Sequence, residues 1–253
     1  MAGDKSGAAP EEGLRGAVIA FDLDGTLVDT APDLVGTLNA ILAEEGLSPL
    51  AMAHARDLIG HGARRLLERG YQAAGAPLPA ERMPELFDRF LAHYLAHIAD
   101  QSRPFPGAVA AVEALRAKGA RVALCTNKPT GLANALLAAL GIGQLFDAVV
   151  GPDAAPAAKP DPRHLQAAVA AAGGSLSRAV MVGDAATDAG AARAAKVPLI
   201  LVSFGYSETP AAELDPDILI DHFDQLPAAC ARLLGLASRK PPGYTPHPSR
   251  GAP

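Results

Sequence analysis

Two carboxylates set two residues apart are the first chemically suggestive feature of this chain. In Phe21-Asp22-Leu23-Asp24-Gly25-Thr26-Leu27 they directly follow an apolar run. In extended backbone, residues i and i+2 point to one side, so Asp22 and Asp24 share a face while Leu23 turns back into the fold. Gly25 then permits a sharp turn. An EF-hand calcium loop is the bland alternative, but it would want Asp or Asn at 26 and Gly at 27, where Thr26 and Leu27 stand. Three further polar groups also follow apolar runs or lie in the loops beside them. Thr126-Asn127-Lys128 offers a hydroxyl and an amide that can donate to a phosphate oxygen, although such a pair is often only a helix N-cap. Lys159, in Ala158-Lys-Pro-Asp-Pro162, can neutralise a phosphate as a point charge; a solvated loop lysine is the alternative. Asp184 and Asp188, in Val182-Gly-Asp-Ala-Ala-Thr-Asp188, offer hard oxygen ligands suited to magnesium.

These residues need a scaffold that brings strand ends together. Short apolar runs at Ala17–Phe21, Ala120–Cys125, Ala148–Val150, Ala179–Val182 and Pro198–Val202 read as strands, and Ile218–Ile220 as a short sixth. Helical patterns over Pro129–Leu140, Arg163–Ala172 and Ala185–Ala195 alternate with them, and Leu132, Leu136, Leu137 and Leu140 recur at helical spacing. Such alternation predicts an α/β fold, a doubly wound parallel sheet with a Rossmann-like core. The carboxyl ends of its strands converge on one crevice, so all four polar groups meet there.

One interval breaks the alternation. Between Pro32 and Arg103 no strand is evident, and helical patterns run over Asp33–Glu45, Ala51–Ile59, Ala63–Ala74 and Glu81–Ile98. Ser102–Gly107, with two prolines, reads as a linker. An interval of about 70 residues is too long for a loop in a compact domain, so an all-helical cap is expected. The predicted layout is a disordered tail over 1–15, a core from 16–31 plus 104–238, a helical cap over 32–103, and a second tail over 239–253. Gly60-His-Gly-Ala-Arg-Arg65 begins like a dinucleotide fingerprint but ends in Arg and follows no strand.

Composition narrows the function classes. Of 253 residues, 49% are apolar, and 22 basic against 27 acidic side chains leave a formal charge of −5, which gives no basic footprint for nucleic acid or an anionic membrane. No apolar run approaches the roughly 20 residues of a membrane span, and no secretory h-region is seen, so a cytoplasmic protein is expected. Cys125 and Cys230 stand alone; Cys125 ends an apolar run and reads as a core residue rather than a nucleophile.

The four groups together resemble the haloacid dehalogenase superfamily of phosphatases. The match consists of Asp22-x-Asp24-Gly25-Thr26, Thr126, Lys159 and Gly183-Asp184-x3-Asp188, and it covers residues 17 to 235. Segments such as Ile59-Gly-His-Gly-Ala63, Cys125-Thr-Asn-Lys-Pro129 and Val202-Ser-Phe-Gly-Tyr206 resemble the phosphoglycolate phosphatase family within it. Two departures stand out: Ala185 where Ser or Thr is usual, which is expected to weaken support of the metal shell, and Gly151-Pro152-Asp153 in place of Gly-Gly-Asp.

The resemblance implies hydrolysis of 2-phosphoglycolate, a small anionic phosphate ester, with Mg2+ as cofactor. Asp22 would be the nucleophile, ionised at neutral pH by its ordinary pKa near ~3.9, and Asp24 the general acid and then base, with its pKa raised toward the working pH. Magnesium would sit on Asp22, the Asp24 backbone carbonyl and Asp184, with Asp188 orienting that shell. Thr126, Asn127 and Lys159 would hold the phosphoryl oxygens. In the cap, His61 or Arg64 would meet the substrate carboxylate; a solvated helix face is the alternative, favoured for Arg65 and open for the other two. A phosphonatase would want a cap lysine, which residues 31–103 lack. A metal-free dehalogenase has no use for this acidic set. A sugar phosphatase or phosphoglucomutase remains a relative to separate by assay. A receiver-like aspartyl-phosphate switch needs neither cap nor Asp24.

Overall fold

The computed structural model describes residues 13–52, 59 and 62–236. Among them a six-stranded, wholly parallel sheet has the order β5-β4-β1-β6-β7-β8. Its strands are β1 (Val18–Phe21), β4 (Arg121–Cys125), β5 (Ala148–Val150), β6 (Ala179–Gly183), β7 (Leu199–Val202) and β8 (Ile218–Ile220). All six match the runs read from sequence to within a residue at either end.

Strand alternation divides the core into two layers. Ile19, Phe21, Val122, Leu124, Val180 and Val182 enter one apolar cluster; Val18, Ala20, Ala123, Cys125, Ala179 and Met181 enter the other. A strand buried on both faces must be apolar throughout, which is why these segments read as continuous runs. Helices α6 (Pro162–Ala171) and α7 (Ala186–Ala195) cover the second face. Helices α4 (Ala108–Ala117), α5 (Thr130–Ala139) and α8 (Leu226–Leu233) cover the first. The chain runs from β1 out through β4 and β5, then returns to β6 on the other side of β1. Strand order therefore reverses at β1, the position where open α/β sheets bind ligands.

Among the described residues, three helices, α1 (Ala31–Glu44), α2 (Ala63–Ala73) and α3 (Met83–Ala96), stand between Asp29 and Arg103. A single 3-10 turn, Ala80–Arg82, leads into α3, whose Pro84 sits in the first helical turn where its missing N–H costs nothing. This shortens the helix expected over Glu81–Ile98. Of the helix expected over Ala51–Ile59, residues 53–58 lie outside the described residues. The two connections to these helices pair with one another: β2 (Val28–Asp29) and β3 (Arg103–Pro104) form an antiparallel ribbon. The expected Ser102–Gly107 linker is thus partly strand, in a ribbon too short to show a period-two pattern. Asp33, at the start of α1, fastens the return by accepting from the Ser102 hydroxyl (2.6 Å) and from the backbone of Ser102 and Gln101.

The amino-terminal boundary also moves. Leu14 is buried and donates its N–H to Lys118 at 3.1 Å, so the packed region begins before residue 16. Residues 1–12 and 239–253 of the two expected tails lie outside the described residues. No described helix is long and apolar enough to cross a membrane.

Candidate active site

β1 delivers Asp22. Register pairs Phe21 with Leu124 on one side and Val182 on the other, so Asp22 emerges between the ends of β4 and β6. Its N–H still donates to Val182 at 2.9 Å. Gly25 then turns with φ +82, and a β-carbon there would stand 2.6 Å from Asp184 Oδ2, so only glycine lets the loop approach the next carboxylate.

Behind Asp22 lies a buried charge cluster. Lys159 Nζ is 2.7 Å from Asp188 Oδ1 and 2.9 Å from Asp22 Oδ1, with its side chain fully buried. Asp188 Oδ2 accepts from the N–H groups of Ala185 (3.0 Å) and Asp184 (3.2 Å). Ala185 itself offers no side-chain cap, so Asp188 alone ties the start of α7 to its approach. Asp184 accepts from the Thr26 hydroxyl (2.7 Å) and the Tyr206 N–H (2.8 Å). Ligand oxygens of Asp22, Asp184 and Asp188 lie within 4.8 Å of one another.

This cluster fits a divalent cation. Three carboxylates against one ammonium leave two negative charges. Asp22 Oδ1 is buried and, despite its short distance to Lys159, has no hydrogen bond of acceptable geometry among the described residues. Burial, reinforced by the charges of Asp188 and Asp22, pushes the Asp184 carboxyl up to about 8. Burial also raises Asp22, against the pull of Lys159, to about 6. Burial works against the Lys159 charge too, but Asp188 and Asp22 hold the ammonium well above the ordinary lysine range. Crowded acids that resist ionisation are relieved by an ion with hard oxygen affinity.

A pH dependence follows. Both carboxyls have folded values above the ordinary 3.8. Their contribution to stability is therefore full below about 4 and is lost as pH rises through about 6 and then about 8. A bound cation competes with those protons. Magnesium at about 100 times its dissociation constant is expected to add about 2.7 kcal/mol at pH 8 and markedly less at pH 5.5. Thermal midpoints with and without magnesium at the two pH values check this; a shift independent of pH would contradict it.

Asp24 has a separate environment. It accepts from the Thr30 hydroxyl (2.7 Å) and from Lys128 Nζ at 2.8 and 3.0 Å. Lys128 is buried and also stands 4.6 Å from the Tyr94 ring centroid on α3. Its burial disfavours the charge, yet Asp24 and Tyr94 hold the ammonium above the ordinary lysine range. The sequence reading passed over Lys128, although its i, i+2 relation to Thr126 is the same signal that singled out Asp22 and Asp24.

Thr126 lines the cavity, and its oxygen accepts the Lys128 N–H at 3.1 Å, leaving its proton to donate. Asn127 departs from expectation. Its side chain is engaged by the backbone of Lys159, accepting the N–H at 3.0 Å and donating to the carbonyl at 3.1 Å. The amide's acceptor and donor match the N–H and C=O of this one residue, so Asn127 positions the Lys159 loop. His164 does likewise: Nδ1 accepts the Lys159 N–H at 3.1 Å and Nε2 faces the Val150 carbonyl at 3.1 Å, in a buried site that lowers its proton affinity. Asp153 caps α5 from a distance by accepting the Thr130 N–H at 2.8 Å. Burial pushes the Cys125 thiol up to about 12, in keeping with a core residue.

Over Asp22 and Asp24 lies a cavity of about 260 Å³, walled on its far side by Leu66, Phe87, Phe90 and Tyr94 of the helical insertion. Arg64 lines it, with its guanidinium 4.2 Å from the Phe87 ring centroid. Arg65 instead points to solvent and pairs with Glu68 at 2.9 Å. His61 lies outside the described residues.

Comparisons with known proteins agree with this geometry. Residues 17–196 match the family model described as haloacid dehalogenase-like hydrolase. A phosphoglycolate phosphatase of Caulobacter vibrioides is 58% identical over 221 residues, covering 87% of this chain and 93% of that protein. One from Agrobacterium fabrum is 44% identical over 209 residues, covering 83% of this chain and 90% of that protein. The crystal structure of a predicted phosphoglycolate phosphatase from Haemophilus somnus superposes with a TM-score of 0.78 at 30% identity, covering 84% of this chain and 97% of that one.

Proposed function

The chain belongs to the haloacid dehalogenase-like hydrolases, and from that membership we propose that it is a magnesium-dependent phosphomonoester hydrolase converting 2-phosphoglycolate to glycolate and phosphate through an aspartyl-phosphate. The observation that carries this reading is the pairing at the end of β1. Asp22 abuts a buried cluster with unneutralised negative charge, and Asp24, on the same cavity floor, does not belong to that cluster. Two carboxylates in different environments suit two different roles.

Phosphate monoesters hydrolyse so slowly in water that enzymes acting on them supply up to ~10²¹-fold acceleration. A carboxylate oxygen of Asp22 attacks phosphorus while the bond to the bridging oxygen breaks, and Asp24 gives that oxygen its proton, releasing glycolate. Asp24 then takes a proton from water, whose oxygen attacks phosphorus; the bond to Asp22 breaks and phosphate leaves. Lys159 and the Thr126 hydroxyl face the phosphoryl oxygens, and Asn127 and His164 hold Lys159 in place. Asp22, the Asp24 carbonyl and Asp184 would hold magnesium, with Asp188 orienting them. The ion would neutralise charge on the phosphoryl oxygens.

In this reading the helices over 32–103 are a cap that excludes water from a core that begins at Leu14 and resumes at residue 104. Arg64, and His61 if it reaches the same cavity, would contact the substrate. Unpaired, buried Cys125 and Cys230 suit a reducing, cytoplasmic setting. The test is phosphate release from 2-phosphoglycolate beside sugar phosphates, with magnesium and with chelator. Preference for phosphoglycolate and loss with chelator are expected. Preference for a sugar phosphate would assign a related phosphatase, and a single turnover without release would assign a switch.

A further inference from the structure

We infer that Lys128 recognises the carboxylate of the substrate, so that the cleft selects short phosphate esters with an anionic group beside the ester oxygen; the inference rests on the phosphoglycolate reading above. The cavity is mostly apolar, and its described lining holds two cationic side chains, Arg64 and Lys128. Arg64 is exposed and stacked on Phe87 at the far wall. Lys128 is buried at the floor, 2.8 Å from Asp24 Oδ1.

Connectivity does the rest. In phosphoglycolate the carboxylate is borne by the carbon attached to the bridging oxygen. Asp24 must reach that oxygen to protonate it. A cation bonded to Asp24 is therefore held next to the carboxylate as well. An ammonium carries three donors; Asp24 takes at most two of them, and the third, which faces the Tyr94 side chain, can turn to the substrate. A carboxylate entering an apolar cavity without a partner would be strongly disfavoured, so a buried cation at this point discriminates between anionic and uncharged tails. The Tyr94 ring face steadies the ammonium from the cap side.

Lys128 also touches Asp24, so a loss of activity alone would not separate recognition from positioning. The experiment compares kcat/KM for 2-phosphoglycolate and ethyl phosphate, which replaces the carboxylate with hydrogen-bearing carbon. Lys128→Met is expected to lose about 10- to 100-fold more on phosphoglycolate than on ethyl phosphate, the range of a charge-assisted hydrogen bond. Lys128→Arg should restore part of that preference. Thr30→Val removes a donor to Asp24 without removing charge, and should lower both esters by the same factor. Should Lys128→Met not fold, Lys128→Gln keeps a donor and drops the charge, and is measured on the same pair. Equal losses on both esters in the Lys128 variants would overturn the inference, as would a selective loss in Arg64→Met instead. A wild-type protein with no preference for phosphoglycolate would overturn the underlying substrate reading, a result distinct from either.

Discussion

Asp22→Asn is expected to abolish turnover, by about 10⁴-fold or more, while leaving the fold intact. The amide oxygen that replaces the carboxylate is a poor nucleophile and carries no charge for a cation. The backbone at this position is fixed independently, because the Asp22 N–H donates to Val182 and β1 lies between two parallel neighbours. Removing the charge also relieves a crowded cluster. Burial holds the Asp22 carboxyl above its ordinary value, to about 6. Its ionised form therefore opposes folding at pH 8, and the cation-free variant should melt at or above the wild-type temperature. Phosphate release and a thermal midpoint, measured on one preparation, check both halves. Residual turnover within tenfold of wild type would remove Asp22 from the chemistry; loss of activity with a collapsed midpoint would mean that the substitution reports folding instead.

Lys159→Met is expected to be the most destabilising single change in the site, by about 3–5 kcal/mol, because it leaves buried carboxylates without their counter-ion. Lys159 is fully buried between Asp188 and Asp22, at 2.7 and 2.9 Å. The loss has a pH signature. At pH 8 the site holds ionised acids with nothing to balance them. As pH falls from 8 toward 5, Asp184, at about 8, takes up its proton first and Asp22, at about 6, follows. The destabilisation should therefore shrink on acidification. Urea midpoints of wild type and variant at pH 8 and pH 5 measure the difference. A loss as large at pH 5 as at pH 8 would show that the lysine matters for packing and not for charge. Activity should fall as well, since the proposed mechanism sets the same ammonium against the phosphoryl group.

The sheet was legible because its strands are short, apolar and doubly buried. Val122-Ala-Leu-Cys125 and Val180-Met-Val182 are apolar at every position, and both are strands. Asp22 and Asp24 were legible for a related reason: they interrupt that pattern where an apolar run ends. Helices α4 and α8 were missed although Ala108, Ala111, Val112 and Leu115, and Leu226, Ala229 and Cys230, recur at helical spacing. Alanine-rich faces carry a weak hydrophobic signal, and the Ser102–Gly107 prolines drew the reading toward a linker.

What was not legible depends on distant partners. Lys128 meets Asp24 across 104 positions of sequence, and Tyr206 meets Asp184 across 22. The Tyr206 hydroxyl also donates to Asp29 and accepts the Ala31 N–H at 3.1 Å, so one residue links the Asp184 loop to the start of α1. No local pattern announces such a link. Asn127 shows the converse. Its type and position suggested a phosphate donor, but in the folded chain its amide is taken up by the backbone N–H and C=O of Lys159. Residue type defines what a side chain can bond; only the fold decides which partner it meets.

The account turns on a covalent bond between Asp22 and the phosphoryl group of the substrate. The direct measurement is a rapid acid quench of the magnesium-loaded protein with labelled 2-phosphoglycolate, followed by mass analysis of its peptides. The prediction is a phosphoryl group on the peptide that carries Asp22, formed within the first turnover, absent from Asp22→Asn and absent when chelator replaces magnesium. A phosphoryl group on any other residue, or first-turnover phosphate release with no phosphopeptide at any quench time, would contradict it.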